Sequence, residues 1–406
     1  MRDSSPNRTP RECLVTILFG DPAAAQEAAE ALSANGNWPA VLQMAMGWCV
    51  SSQLTDAIGA LDCHPPKQEW RDFRRTMILT FAVSSSRAAK GVAALRQLSQ
   101  AGIPAAAFKG LASAARLYRS AGKRTIKDAD LLVNRRDLEA ALESLAAIGF
   151  VPLEAHKIDR LESFLENSPG FSGNKAIVLY GAEGHEIDLH WSVGEGLDTA
   201  ALLARSQEVT LFETAVRIVA PEDRIVLTAR HAVRENLTID MIGRDLFDIR
   251  LSYDLMDRQG TLVAACNSVT GSSLIGLLAM TGILQALHYG EGGVKKAHAI
   301  LAARASKKDR RIAAQLNDVF FYQVREGALS KDLLYLTHSR PVLQILAGAW
   351  LNWSEYRDLM RSLEEKSQGA EVPIGRRLRM LATNVRKTGL AQFRAIRALA
   401  RLKFAP

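Results

Sequence analysis

The sequence predicts an α+β protein in which a small mixed sheet with helices lies between N-terminal and C-terminal helical regions. Apolar residues recur at helical spacing up to about residue 100 and again beyond residue 221, whereas short apolar runs alternate with helical patterns between them. The composition, 48% hydrophobic and 23% charged, excludes a disordered, collagen-like or coiled-coil chain. At 406 residues, the chain is long enough for more than one domain.

The chain divides into five segments. Its first residues are polar, contain two prolines and lack an apolar signal segment, so we expect a disordered lead. The alanine-rich stretch PAAAQEAAEALSANG and the apolar residues between Lys67 and Ala101 predict helices, and Pro221 begins the later helical pattern. The predicted segments are the lead (1–12), an N-terminal helical region (13–100), the α+β core (101–220), a C-terminal helical domain (221–369) and a basic amphipathic tail (370–406).

Short apolar runs in the core predict its strands, and helical patterns separate some of them. The predicted strands are Ile103–Phe108, Ala129–Asn134, Ile148–Leu153, Ala176–Tyr180 and Glu186–Val193, with a hairpin at Val209–Phe212 and Ala215–Val219.

Gln259 to Gly290 contains no Asp, Glu, Lys or Arg. Its scattered polar side chains and Gly271 favour two core helices over a membrane span. The four cysteines show no C-x-x-C spacing, which excludes a zinc ribbon and a disulfide framework. We therefore expect a cytoplasmic protein without a transmembrane span.

Positive charge is concentrated in the predicted tail. Residues 370–406 contain nine Lys and Arg residues against one Glu, while the whole chain has a formal net charge of +8. Apolar residues recur in the same stretch at helical steps. A surface helix with a solvated basic face explains this pattern, and a contact with nucleic acid, acidic lipid or an acidic partner is the alternative.

The segment KDADLLV places Asp128 and Asp130 one residue apart at the start of an apolar strand. Residues i and i+2 of a strand project from one face, so both carboxylates are expected to point to the same place. Mg²⁺ or Mn²⁺ is the usual partner of such a pair. Asp188, in HEIDLHW, could complete the cluster from a neighbouring strand; a solvated acidic pair is the alternative.

A Lys-Gly pair, Lys109 and Gly110, follows an apolar strand and precedes a helical stretch. A glycine at such a turn lets a phosphate approach the helix N-terminus, and the lysine adds positive charge. Arg124, with Lys123 and Lys127, adds cations near the two aspartates. Basic groups beside metal ligands suit a polyphosphate, although Gly110 could also be a plain turn residue.

Four other polar residues receive structural interpretations. His190, beside Trp191, is interpreted as packed and hydrogen-bonded, with catalysis as the alternative. His231 is expected to be buried in a helix, with support of a metal site as the alternative. Asp245 and Asp248, one helical turn apart, are interpreted as a solvated or capping pair.

The residues from LRQLSQAGIPAAAFKG through Tyr118, Arg124, KDADLLV, AAIGF and EIDLHW resemble a known family in their order. That family is usually labelled uncharacterised nucleotidyltransferase, a branch of the DNA polymerase beta-type nucleotidyltransferase superfamily. The resemblance covers about Ala94 to Arg234.

The resemblance implies a minimal nucleotidyltransferase core. In such a core, Asp128 and Asp130 would bind divalent ions, Asp188 would complete the site, and Lys109, Gly110 and Arg124 would hold the triphosphate. The implied activity is Mg²⁺-dependent transfer of a nucleoside monophosphate from NTP to an acceptor, a small molecule, peptide or RNA. The alternatives are a noncatalytic relative that binds RNA, membrane or acidic peptide through its tail, and a toxin that modifies tRNA.

Overall fold

The computed structural model describes residues 8–118, 121–152, 176–193, 197–234, 239–287, 289 and 291–326. The predicted tail (370–406) and residues 1–7 of the predicted lead lie outside this part of the chain. The rest of the lead overlaps the first helix, which begins at Pro10. Thr9 and Glu12 form a reciprocal capping box there, which satisfies backbone N–H groups at the helix start.

Helices precede and follow the sheet region along the chain, and some lie between its strands. They are α1 (Pro10–Phe19), α2 (Pro22–Ala34), α3 (Trp38–Gly47), α4 (Ser51–Ile58), α5 (Lys67–Gln100), α6 (Lys109–Leu117), α7 (Leu138–Ala146), α8 (Thr199–Arg205), α9 (Pro221–Arg234), α10 (Ile239–Arg258), α11 (Leu262–Ser268), α12 (Gly271–Ala286), α13 (Gly293–Arg304) and α14 (Lys307–Glu326). The strands are β1 (Ala105–Ala107), β2 (Ala129–Val133), β3 (Val151–Pro152), β4 (Ala176–Tyr180), β5 (Glu186–His190), β6 (Gln207–Leu211) and β7 (Thr214–Ile218). The α+β prediction is confirmed.

The described strands form one mixed sheet of seven in the order β3-β4-β5-β2-β1-β7-β6. The pairs β2–β5 and β1–β7 are parallel, and the other neighbours are antiparallel. The predicted hairpin forms as β6 and β7. Strand β2 lies at the centre of the sheet, between β1 and β5, and its successive side chains point to opposite faces of the sheet.

The two faces of the sheet have different partners. One face places Leu131, Ile187 and Leu189 in a core that also contains Val92 and Leu95 of α5. The opposite face has a smaller apolar cluster, in which Leu132 packs with residues of α8 and α9. Polar side chains of β2 and β5 therefore remain on the second face, beside α9 and α10.

The helices that precede the sheet share a core with those that follow it. Residues of α1 to α4 and of α9 to α14 belong to one buried apolar cluster. Phe19 of α1 lies against Phe247 of α10, with ring centroids 4.6 Å apart. Helix α5 contributes Phe73 to this cluster and Val92 to the core under the sheet, so it joins both layers.

The uncharged stretch after Gln259 forms α11 and α12, separated at Val269 and Thr270, as the sequence predicts. Most side chains of α12 are buried among other helices. No helix among the described residues combines the length and the apolarity that a bilayer span requires.

A close approach of α5 to the sheet depends on Gly91. A Cβ at this position would lie 2.8 Å from Leu111 Cδ2 and 2.9 Å from the Ala129 Cβ, which is shorter than a normal contact. We expect Gly91→Ala to lower the free energy of unfolding by about 1–3 kcal/mol through overpacking, measured by denaturant unfolding. Gly47→Ala is the control, because nothing lies within 4 Å of its Cβ position; equal stabilities of the two variants would contradict this packing.

Candidate active site

Parallel pairing of β2 with β5 places two aspartates side by side. Asp130 is directly opposite Asp188, and Leu132 is opposite His190. Since alternate residues share a face, His190 projects beside Asp188. Ligand atoms of Asp130, Asp188 and His190 all lie within 4.8 Å of one another, so the structure brings together three side chains that could bind one metal ion.

Asp128 lies one residue before β2 and is half-buried. It lines the same pocket as Asp130 but is outside the group of three. Burial raises its pKa, and the charge of Asp130 raises it further. The two aspartates of KDADLLV are therefore close enough to repel, and their environments differ.

Asp130 is the buried carboxylate of the cluster, only 2% exposed. Its Oδ1 forms an ion pair with Lys109 Nζ and lies 3.1 Å from His190 Nε2. Burial alone would raise the pKa of Asp130, but Lys109 and His190 lower it below the usual value. Asp130 is thus held ionised by two partners that also fix its position.

Asp188 has the opposite environment. Its Oδ1 is buried and has no hydrogen-bond partner in the described part of the chain. Burial, followed by the charges of Asp130 and Asp128, raises the pKa of Asp188 to about 7. A buried carboxylate oxygen without a partner is costly, and a divalent cation would supply the missing positive charge. The donor set therefore fits Mg²⁺ or Mn²⁺, the latter accepting imidazole nitrogen more readily.

His190 is packed, as the sequence analysis expects. Its ring meets the edge of Phe108 at 4.8 Å between centroids. The same ring also contacts Asp130 within the acidic cluster. His190 therefore lies within the acidic cluster as well as in a packed environment. The adjacent Trp191 in the sequence indicated only the packing.

The Lys-Gly pair lies where β1 turns into α6. Lys109 has a left-handed φ of 49°, and its ammonium contacts Asp130. Phe108 provides no side-chain cap for the helix. A Cβ on Gly110 would meet only Arg124 Nη1, at 3.6 Å, which is an ordinary contact. Packing does not require glycine here, and its absent side chain leaves the N-terminus of α6 open to the pocket.

Arg124 lines the pocket beside Gly110, and its guanidinium already has partners within the protein. Its side chain is 4% exposed, and its Nη2 lies 2.9 Å from Asp248 Oδ2. Nε also donates to Asp248, and Nη1 donates to Thr125 O at 2.8 Å. Tyr118 Oη donates to Asp248 Oδ1 at 2.8 Å. The guanidinium therefore ties the loop before Asp128 to helix α10.

The interpretation of Asp245 and Asp248 as a solvated or capping pair is wrong. Both are buried, at 5% and 3% exposure. Asp245 lies 3.6 Å from Arg124 Nη2 and 3.0 Å from His231 Nδ1. Removal of charges from water is costly unless they are paired, and these two carboxylates are paired with Arg124 and His231. Both line the inner wall of the pocket.

Arg244 is a further residue of the pocket, and the sequence motifs did not predict it. This residue of α10 is half-buried and lines the same pocket. A signal was present in RDLFD (244–248), where charged residues interrupt the buried positions Leu246, Phe247 and Ile249. The residues that line the pocket are Lys109, Gly110, Arg124, Ile126, Lys127, Asp128, Asp130, Thr228, His231, Arg244, Asp245 and Asp248.

The raised pKa of Asp188, about 7, gives a pH dependence of stability. In the unfolded chain an aspartate ionises near pH 3.9, so the folded state binds the extra proton between about pH 4 and pH 7. Metal-free wild-type protein is therefore expected to lose thermal stability as the pH rises through this window. Asp188→Asn should lose less, as measured by melting temperatures at about pH 5 and pH 8 in a chelator.

Asp130→Asn is the contrast variant for this measurement. Because Asp130 is paired with Lys109 and His190, its neutralisation should destabilise the protein at both pH values. Identical pH slopes in wild type and Asp188→Asn would show that Asp188 is not the titrating group.

Comparison with known proteins agrees with the geometry. Residues 34–268 match the family described as uncharacterised nucleotidyltransferase, and this range is more than half of the chain. A search of curated proteins found no match. The match includes the sheet, the acidic cluster and helix α10, and the chain therefore belongs to the uncharacterised nucleotidyltransferase family.

Proposed function

We propose that this protein transfers a nucleoside monophosphate from NTP to an acceptor hydroxyl or phosphate in a reaction that requires Mg²⁺ or Mn²⁺. The observation that carries the proposal is the orphaned Asp188 Oδ1 opposite the ionised Asp130. The open N-terminus of α6 at Gly110 supports it.

Asp128, Asp130 and Asp188 are the proposed metal ligands. When bound, the metal would stabilise the charge that develops on the phosphates. Asp130 gives the site a carboxylate that stays ionised, because its pKa is lowered by Lys109 and His190. Asp188 offers the buried carboxylate oxygen that has no hydrogen-bond partner in the described part of the chain, and a divalent cation at this oxygen would supply the missing positive charge.

Lys109 and Gly110 are the proposed phosphate-binding residues. The N-terminus of α6 offers unpaired backbone N–H groups and the positive end of a helix dipole. Lys109 contributes a point charge beside them. We propose that Arg124 supports this site by holding the loop before Asp128 in place, because its N–H donors are engaged with Asp248 and Thr125.

Loss of one metal-binding carboxylate should abolish transfer. Asp128→Asn, Asp130→Asn and Asp188→Asn each remove negative charge from the proposed metal site, and we expect activity to fall by far more than tenfold, which is about 1.4 kcal/mol in the barrier. The measurement is passage of the α label of NTP to an acceptor in a cell extract. Asp257→Asn is the control, because Asp257 pairs with Lys296 away from the pocket; activity within tenfold of wild type in an active-site variant would refute the assignment.

The position of the transferred group separates nucleotidyl transfer from phosphoryl transfer. With NTP labelled separately at the α and γ positions, only the α label should reach the acceptor, and pyrophosphate should be released. Transfer of the γ label would make the protein a kinase and would overturn the proposal.

A further inference from the structure

Arg244 differs from the other buried or half-buried cations of the pocket in having no bonded partner. Lys109 pairs with Asp130 and Arg124 pairs with Asp248. On the same helix as Arg244, Arg250 pairs with Asp254 and stacks on Tyr289. Among the residues that the structure describes, Arg244 forms neither a hydrogen bond nor an ion pair.

The positive charge of Arg244 nevertheless affects carboxyl groups on both sides of the pocket. Arg244 lines the pocket together with Asp128 and Asp245, and its positive charge lowers the pKa of both carboxyl groups. Asp128 is on the sheet side, and Asp245 is on the helical side. Arg244 therefore faces the space between the two layers of the fold.

After the ion pairs of the pocket are assigned, unpaired negative charge remains on one side of the pocket and unpaired positive charge on the other. Once Lys109 and Arg124 are assigned to Asp130 and Asp248, Asp128 and Asp188 are the aspartates of the site that have no ion pair in the described part of the chain, and both lie on the sheet side. Among the cations that line the pocket, Arg244 and the exposed Lys127 have no ion pair with another described residue. A ligand that satisfies both sides needs a cation at the carboxylates and anionic groups at Arg244.

A metal-bound triphosphate has this distribution of charge. Guanidinium presents donors in a planar fork that matches two oxygens of one phosphate, which a lysine ammonium does not. An unpaired guanidinium that is already partly removed from water gains most from such a partner.

We propose that Arg244, assisted by Lys127, binds the terminal phosphates of the metal-bound triphosphate and thereby selects a triphosphate over shorter phosphates. This inference rests on the proposed function and assigns the substrate-length specificity of that site to helix α10. Asp245 and Asp248, on the same turn of α10, hold Arg124, so the segment that would bind the triphosphate is also anchored to the loop before Asp128.

The test uses the full-length protein with Mg²⁺ and the four common NTPs, each compared with its NDP, so that the base need not be known beforehand. Wild type should bind its preferred NTP more tightly than the corresponding NDP by calorimetry. Arg244→Ala should raise the Kd for that NTP by about tenfold or more, with a smaller change for the NDP, which lacks the terminal phosphate. Arg244→Lys should fall between the two, because it keeps the charge and loses the fork.

Arg258→Ala is the matched control, since Arg258 is exposed in the last turn of α10 and does not line the pocket. If Arg244→Ala does not fold, Arg244→Gln, which retains most of the side-chain length, carries the same expectation. Metal-dependent binding by wild type that is unchanged in Arg244→Ala overturns this inference and leaves the proposed function standing. A wild-type protein that binds none of the NTPs, or an Asp130→Asn variant that binds NTP as tightly as wild type does, overturns the proposed function and the inference with it.

Discussion

The parallel pairing of β2 with β5 is the constraint on which the site depends. Its register sets Asp130 opposite Asp188 and leaves Leu131, Ile187 and Leu189 in the core under the sheet. A shift of one residue would exchange the two faces of a strand, moving a carboxylate into the apolar core. The burial of these leucines and isoleucine therefore fixes the positions of the carboxylates, and the stability of the sheet is tied to the geometry of the candidate site.

The three aspartates differ in state because their neighbours differ. Asp130 has two cationic or hydrogen-bonding partners and a lowered pKa, whereas Asp188 has a buried oxygen without a partner and a pKa of about 7. Burial penalises both carboxylates, and only Asp130 is compensated within the described chain. Lys109 thus neutralises part of the negative charge of the cluster, and the negative charge that remains suits a divalent cation.

Helix α10 connects the site to the helical layer. Asp245 and Asp248 hold Arg124, while Phe247 packs against Phe19 in the core shared by the helices on both sides of the sheet. A buried ion pair that loses one partner leaves an uncompensated charge, so the loop before Asp128 and the helical core are mechanically linked. The helices that precede the sheet and those that follow it share one core, and this core supports the pocket through helix α10.

Local pattern determined much of this protein. Apolar periodicity predicted the helices and strands. The D-x-D spacing of Asp128 and Asp130, the Lys-Gly turn and the HEIDLHW segment with Asp188 pointed to side chains that line or adjoin the pocket, because each of these signals is contained in a few consecutive residues. Tertiary structure decided the partners: Lys109 on Asp130, Arg124 on Asp248, His190 beside the acidic cluster, and Arg244 across the pocket. Those pairings join residues up to 124 positions apart. Charge on a side chain is visible in the sequence, but its burial and its partner are set only when distant elements pack together.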